Sequence, residues 1–253
     1  WGFIVIHIGL LILLNVPFVQ KKLSAAISSE LSKLLNTEVS VGHIELGFLN
    51  RLHIEDVRLN DLQGDEMLNV HRLTTRFEWK PLLDGKVVVN SIQLIGFDVQ
   101  LRKETPDAIP NFQFVLDAFA SKDTLKEPSN LDLRINSILI NRGKVSYDVL
   151  SVPETPDRFN ASHVNVQNLS ASISLKTLHN DSIHAIVRRM AFHEKSGIQL
   201  KKLNMELITD NNKLIINNFG LNLQTSALSM DTLEITYDSL QNLPKMTDDV
   251  HFH

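Results

Sequence analysis

Two stretches of this chain carry the same strand signature. KVVVNSIQLIGFDVQL at 86–101 returns, more loosely, as LDLRINSILINRGKVSY at 131–147. Each contains an Asn-Ser-Ile triplet, Asn90-Ser91-Ile92 and Asn136-Ser137-Ile138, followed by more alternating strand. A repeated β unit points to a sheet that grows by adding strands, not to a closed enzyme core. The same period of two runs far beyond the repeat. Ile44, Leu46 and Phe48 alternate with Glu45 and Gly47. Leu52 and Ile54 do so next, then Val57 and Leu59 after a one-residue slip at Glu55-Asp56. Val70 is followed, past another slip, by Leu73, Thr75, Phe77 and Trp79. Slips of this kind read as β-bulges or strand boundaries. Val88, Ile92 and Leu94 lead through Gly96 to Phe97, Val99 and Leu101. One apolar and one polar face per strand predicts antiparallel pairing, because parallel sheets bury both faces.

Two segments break the strand period. From Phe18 to Leu35, Leu23, Ala26, Ile27, Leu31, Leu34 and Leu35 recur at helical spacing, and Asn36 is a plausible stop. Its polar face is not strongly basic, so it is expected to cap the first strand rather than lie in a membrane interface. The second helix is expected over Phe112 to Ala120, with Asn111 as cap and Phe112, Val115, Leu116 and Phe119 on one face. Residues 121–130 are polar and form the best internal boundary. Strands resume at Leu131, with a proline-bearing loop over 152–159. A closing meander follows, with turns expected at Asn211-Asn212 and over Asn217 to Gly220.

An apolar leader precedes all of this. Trp1 to Leu14 reads WGFIVIHIGLLILL, about 21 Å as a helix against the ~30 Å of a hydrocarbon core. It reads as a membrane anchor completed by residues upstream, with a signal peptide and a buried core helix as rivals. The chain opens on Trp1, not Met, and is expected to be a piece of a longer protein. Lys21 and Lys22 after the leader favour a cytoplasmic placement of that side.

A sheet with one apolar face must cover it. Two short helices can cover only a few of about a dozen strands, so either the strands pair into a two-layer sandwich or the sheet curls into a trough that holds something apolar. The 43% hydrophobic content excludes a disordered polymer, and the net charge of −4 argues against nucleic acid as a partner. With no cysteine there is no disulfide framework and no thiolate metal site. The ten histidines are dispersed, without the spacing that ligation on one helix needs. No Gly-rich phosphate loop or nucleophile elbow occurs, no cofactor is expected, and no catalytic residue is assigned. The Asn-x-Ser triplets at Asn160, Asn168 and Asn180 match a pattern too short to carry weight.

In order along nearly the whole chain, several motifs resemble the N-terminal part of TamB-like proteins of the AsmA superfamily, in the form found in Bacteroidetes-type bacteria. They are the leader with its Pro17-Phe18-Val19-Gln20 exit, Val39-x-Val41-Gly42, the 85–101 strand pair, Asn111 to Phe119, and Glu194-Lys-Ser-Gly-Ile-Gln-Leu200. The C-terminal groove and terminal domain of that family have no counterpart here. The resemblance implies a mainly β fold: an elongated, curved antiparallel sheet forming a U-shaped hydrophobic groove (a β-taco), with an N-terminal membrane helix and two short soluble helices. The divisions expected are an anchor at 1–17, a first groove segment at 18–120, a linker at 121–130 and a second groove segment at 131–253. It implies a non-catalytic protein with a single-pass inner-membrane anchor and its bulk in the periplasm, which overrides the orientation hint of Lys21 and Lys22. Phospholipid acyl chains would be the cargo, moved between inner and outer membrane. The alternative role is a scaffold for outer-membrane protein assembly with a barrel protein of the TamA type. Groove-lining candidates are Ile44, Leu46, Phe48, Ile92, Leu94, Val99, Ile138 and Ile140.

Overall fold

The computed structural model describes Gly9 and residues 16–47, 50–78, 80, 87–120, 131–156, 158–178, 183–210 and 212–236. The leader, the 121–130 boundary and Phe48 therefore lie outside the described residues, apart from Gly9. Among the described residues no helix is long and apolar enough to cross a membrane.

The fold is mainly β. Helix α1 (Pro17–Leu35) precedes strands β1 (Val39–Gly47), β2 (Arg51–Asn60), β3 (Glu66–Phe77) and β4 (Val87–Lys103). Helix α2 (Gln113–Ala120) leads to β5 (Leu131–Val149), β6 (His163–Leu178), β7 (Ile183–Glu194), β8 (Gln199–Asp210), β9 (Lys213–Leu223) and β10 (Ala227–Thr236). All ten strands form one open sheet in chain order. A two-layer sandwich is thus absent among the described residues.

One expectation fails at the centre of the sheet. β4 and β5 pair in parallel, not antiparallel. The connection between them carries α2, and a crossover of that length returns the chain to the same end. The parallel pairing sets the two copies of the repeat side by side, Ser91 on Ser137, Ile92 on Ile138 and Leu94 on Ile140. The copied unit is therefore two neighbouring strands in register.

The slips also have a structural meaning. Asp56, Gly96, Arg142, Asn168 and Asn218 have left-handed backbone in β2, β4, β5, β6 and β9. Each lies where the apolar phase changes, and the change is carried from strand to strand. From β2 to β4 the register is the same on either side of the line, so the strands change phase together and apolar residues stay on one face. Asn217 to Gly220 is accordingly a bulge inside β9 and not a turn. The turn follows at 224–226, where the Leu223 N–H donates to the Ser226 carbonyl at 2.8 Å.

Helix α1 guards the β1 edge. The Val39 N–H donates to Ser32 Oγ and the Val41 N–H to Ser28 Oγ, both at 2.9 Å. Four helical residues rise about 6 Å and two strand residues about 6.7 Å, so serines one turn apart meet alternate strand amides. Ser24, one turn earlier, is buried as well. The apolar stripe is only partly used in docking: Leu31 and Leu35 reach the core, whereas Leu34 is exposed. The serine spacing, which went unread in the sequence, satisfies edge amides that would otherwise invite pairing. Ser28→Ala with Ser32→Ala is expected to lower stability by about 2 kcal/mol, seen as a lower urea midpoint with an unchanged slope. Asn36 ends α1 in left-handed backbone, as its side chain allows.

The compact core sits at this corner. Leu35, Val39, Leu59 and Met67 are buried together, with Leu31, Leu68, Phe112, Phe114, Val115 and Ala118 packed against them. Leu116, expected on the packed face of α2, is 52% exposed. Asn111 accepts from the Arg102 N–H at 2.9 Å, so it pins the loop to β4 in place of capping the helix. Asp61, 1% exposed, accepts from the Gln63 and Asp65 amides and from Arg102 Nη2 at 2.8 Å. That knot fixes the β2–β3 turn against the end of β4.

Candidate functional site: the apolar face of the sheet

Strand register turns scattered alternation into continuous rows. Ile44, Ile54, Leu73, Leu94, Ile140, Ala171, Met190, Leu203, Leu221 and Leu228 are successive cross-strand partners, one from each strand. Every member is apolar. A neighbouring row runs Leu46, Leu52, Thr75, Ile92, Ile138, Ile173, Val187 and Met205 across eight strands. Its single polar member, Thr75, gives its hydroxyl proton to the Ser91 carbonyl at 2.8 Å. Across the bulge line, Val41, Val57, Val70, Phe97, Gly143 and Leu169 form a third row. Val39, Leu59, Leu68, Val99, Val145 and Val166 form a fourth.

The seven described groove candidates fall on this face. Ile44 and Leu46 are buried beside α1. Ile92, Leu94, Val99, Ile138 and Ile140 are half-buried. The ends of the row differ, with Ile44 beside α1 1% exposed and Leu228 51% exposed, while Ala171 between them is 6% exposed. Sequence reading missed Met190, Leu203 and Leu221, whose only signal is their spacing within β7, β8 and β9. It also missed why Gly143 is a glycine. A Cβ there would lie 2.4 Å from Phe97 Cζ, so the ring closes over bare backbone.

A polar hollow of about 320 Å³ opens where the 149–162 loop meets the β7–β8 turn. His163 Nδ1 lies 2.9 Å from Asp148 Oδ1, and Nε2 lies 2.6 Å from the Val152 carbonyl. Both partners accept, so both ring nitrogens donate when the ring is an imidazolium. The Asp148 hydrogen bond, aided by the Val152 carbonyl, holds the pKa above its ordinary value. Burial pushes the nearby Glu194 carboxyl up. Bonds from the Ser196 hydroxyl and from the Asn165, Ser196 and Lys195 amides outweigh that and hold it below the usual carboxylate range. Both groups tie turns together. Because the folded pKa of His163 is raised, its contribution to stability is full below its unfolded value and fades as pH rises through the folded one. The melting temperature is expected to fall as pH rises above about 6.5, the ordinary histidine value, and this component of the fall should vanish in His163→Gln.

Among the described residues no cluster of His, Asp and Glu is arranged to hold a metal. No protein-family model matches the chain, and no curated protein matches it.

Proposed function

We propose that the apolar face carries phospholipid acyl chains, in a non-catalytic transfer module anchored in the inner membrane with its bulk in the periplasm. The reading takes the sheet as one stretch of an elongated U-shaped groove. Its main support is the ten-residue apolar row, together with two helices that pack only near its β1 end. Nine strand spacings give the row a length of about 43 Å along the sheet, longer than the ~30 Å hydrocarbon core of a bilayer. Each methylene laid on such a surface is worth roughly 0.8 kcal/mol, so a partly enclosed chain is retained without specific bonds. The line of bulges adds support, since aligned bulges bend a sheet.

Native mass spectrometry of the full chain, released from mild detergent, tests this reading. Co-purified phospholipid is expected at masses that collision releases as whole lipids. Protein that flies free of lipid from a lipid-rich preparation overturns it.

A second reading rests on the opposite edge. Among the described residues nothing covers the outer side of β10, whereas α1 closes the outer side of β1. An open edge adds extended client segments by strand pairing, as a scaffold for outer-membrane protein assembly with a barrel of the TamA type would require. Proline substitutions in β10 would then abolish client capture and leave bound lipid unchanged.

A further inference from the structure

The polar face carries a basic hollow that the acyl-chain reading does not use. It encloses about 720 Å³ and is lined by Arg51, His53, Arg72, Arg76, Asn90 and Gln93, among others. Arg51 and Arg76 are direct cross-strand partners on β2 and β3. Like charges so placed repel one another. Their row continues to Gly47 on one side and to Ser91 and Ser137 on the other, so none of these row neighbours is a carboxylate. Among the described residues, of the three arginines only Arg72 is paired, with its Nε 2.9 Å from Glu55 Oε1. Glu78 is engaged by the Asn90 amide at 2.9 Å. His53 Nδ1 is held by Thr74 Oγ1 at 2.9 Å, and its ring fills the space over Gly47, where a Cβ would meet Nε2 at 2.9 Å. Two guanidinium forks thus face one opening with no anion of the described chain between them, in a protein whose net charge is −4.

We propose that this hollow binds the phosphate of a phosphate ester. Guanidinium matches phosphate through paired, charge-assisted N–H bonds, and the neighbouring amide of Gln93 supplies a neutral donor. Its position points to the membrane surface as one source. The pitch match of α1 on β1 brings the start of α1 level with Leu46 and Gly47, at the arginine end of the sheet. That placement, though not the chemistry of the hollow, rests on the anchor reading above.

The test uses the full chain in nonionic micelles at fixed ionic strength. Two probes are compared, sn-glycerol 3-phosphate in solution and phosphatidylglycerol doped into the micelle, with phosphatidylcholine as a phosphodiester of no net charge. Saturable binding by calorimetry is expected with at least one anionic probe. Binding should be about a hundredfold weaker in Arg51→Gln/Arg76→Gln and intermediate in the paired Lys variant, which keeps charge and loses the fork. Preference for the doped lipid assigns the phosphate to a headgroup, and preference for the soluble ester assigns it to a small metabolite. The Gln variant should melt no lower than the native chain, because removing one arginine from each side relieves repulsion. Absence of binding to both anionic probes, or undiminished binding by the Gln variant, overturns the proposal. The same variant should keep its co-purified lipid, so failure here and failure of the acyl-chain reading are separate results.

Discussion

Phe97→Ala is expected to destabilise the fold by about 3–5 kcal/mol, the largest loss for any single side chain of the apolar face. Phe97 is 7% exposed and lies immediately after the Gly96 bulge. Its ring fills the place a side chain would take at Gly143, next to the matching bulge at Arg142. Truncation therefore empties a site that bare backbone cannot refill. Gly143→Ala should cost about 1–3 kcal/mol by the opposite route, since the new methyl and the ring claim the same space. The pair supplies its own control. In Phe97→Leu/Gly143→Ala the shorter side chain leaves room for the methyl, and the combined loss should fall below the sum by about 1 kcal/mol. Urea unfolding of the four proteins measures the cycle. Strict additivity would show that the ring does not rest on Gly143.

The role of these residues explains what could be read in advance. Alternation at Ile44 and Leu46, or at Ile92 and Leu94, is a local signal, and it identified both the strands and the face. The bulges were visible too, as slips at Glu55-Asp56 and between Val70 and Leu73. Their alignment was not, because it depends on register between strands far apart in sequence. The same limit hid the parallel pairing. Side-chain alternation has one period in either direction, and β4 and β5 each carry one apolar and one polar face. The usual inference from alternation to antiparallel pairing assumes that parallel strands are buried on both sides. Here a parallel pair is enclosed in an open sheet, and the assumption fails.

Helix α1 caps the first strand as its pattern suggests, and Leu31 and Leu35 of its stripe reach the core. The stripe says nothing, however, about the amides that an edge strand offers. Ser28 and Ser32 meet those amides. A serine every fourth residue in a helix beside a predicted strand is a usable signal, and the basic row of Arg51 and Arg76 is not. Those two residues are 25 positions apart and meet only through register.

Leu94→Asp is expected to leave the chain folded and to reduce bound phospholipid about a hundredfold. Leu94 is half-buried between Leu73 and Ile140, near the middle of the ten-strand row. A carboxylate there can reach water in the free protein, so its folding cost stays small. Acyl chains laid along the row remove that water. A charge among apolar chains costs about 2.5–3.5 kcal/mol even on the mildest scale, or roughly a hundredfold in occupancy. Ile92→Asp, one row away, should behave alike. Ser172→Asp provides the control, since Ser172 pairs with Leu139 and Arg189 on the polar face, outside the basic hollow and away from the apolar rows. Native mass spectrometry reads occupancy for all three, and circular dichroism confirms the fold. If folded Leu94→Asp and Ser172→Asp carry equal lipid, acyl chains do not lie on this face. The ten-strand row would then need another apolar partner.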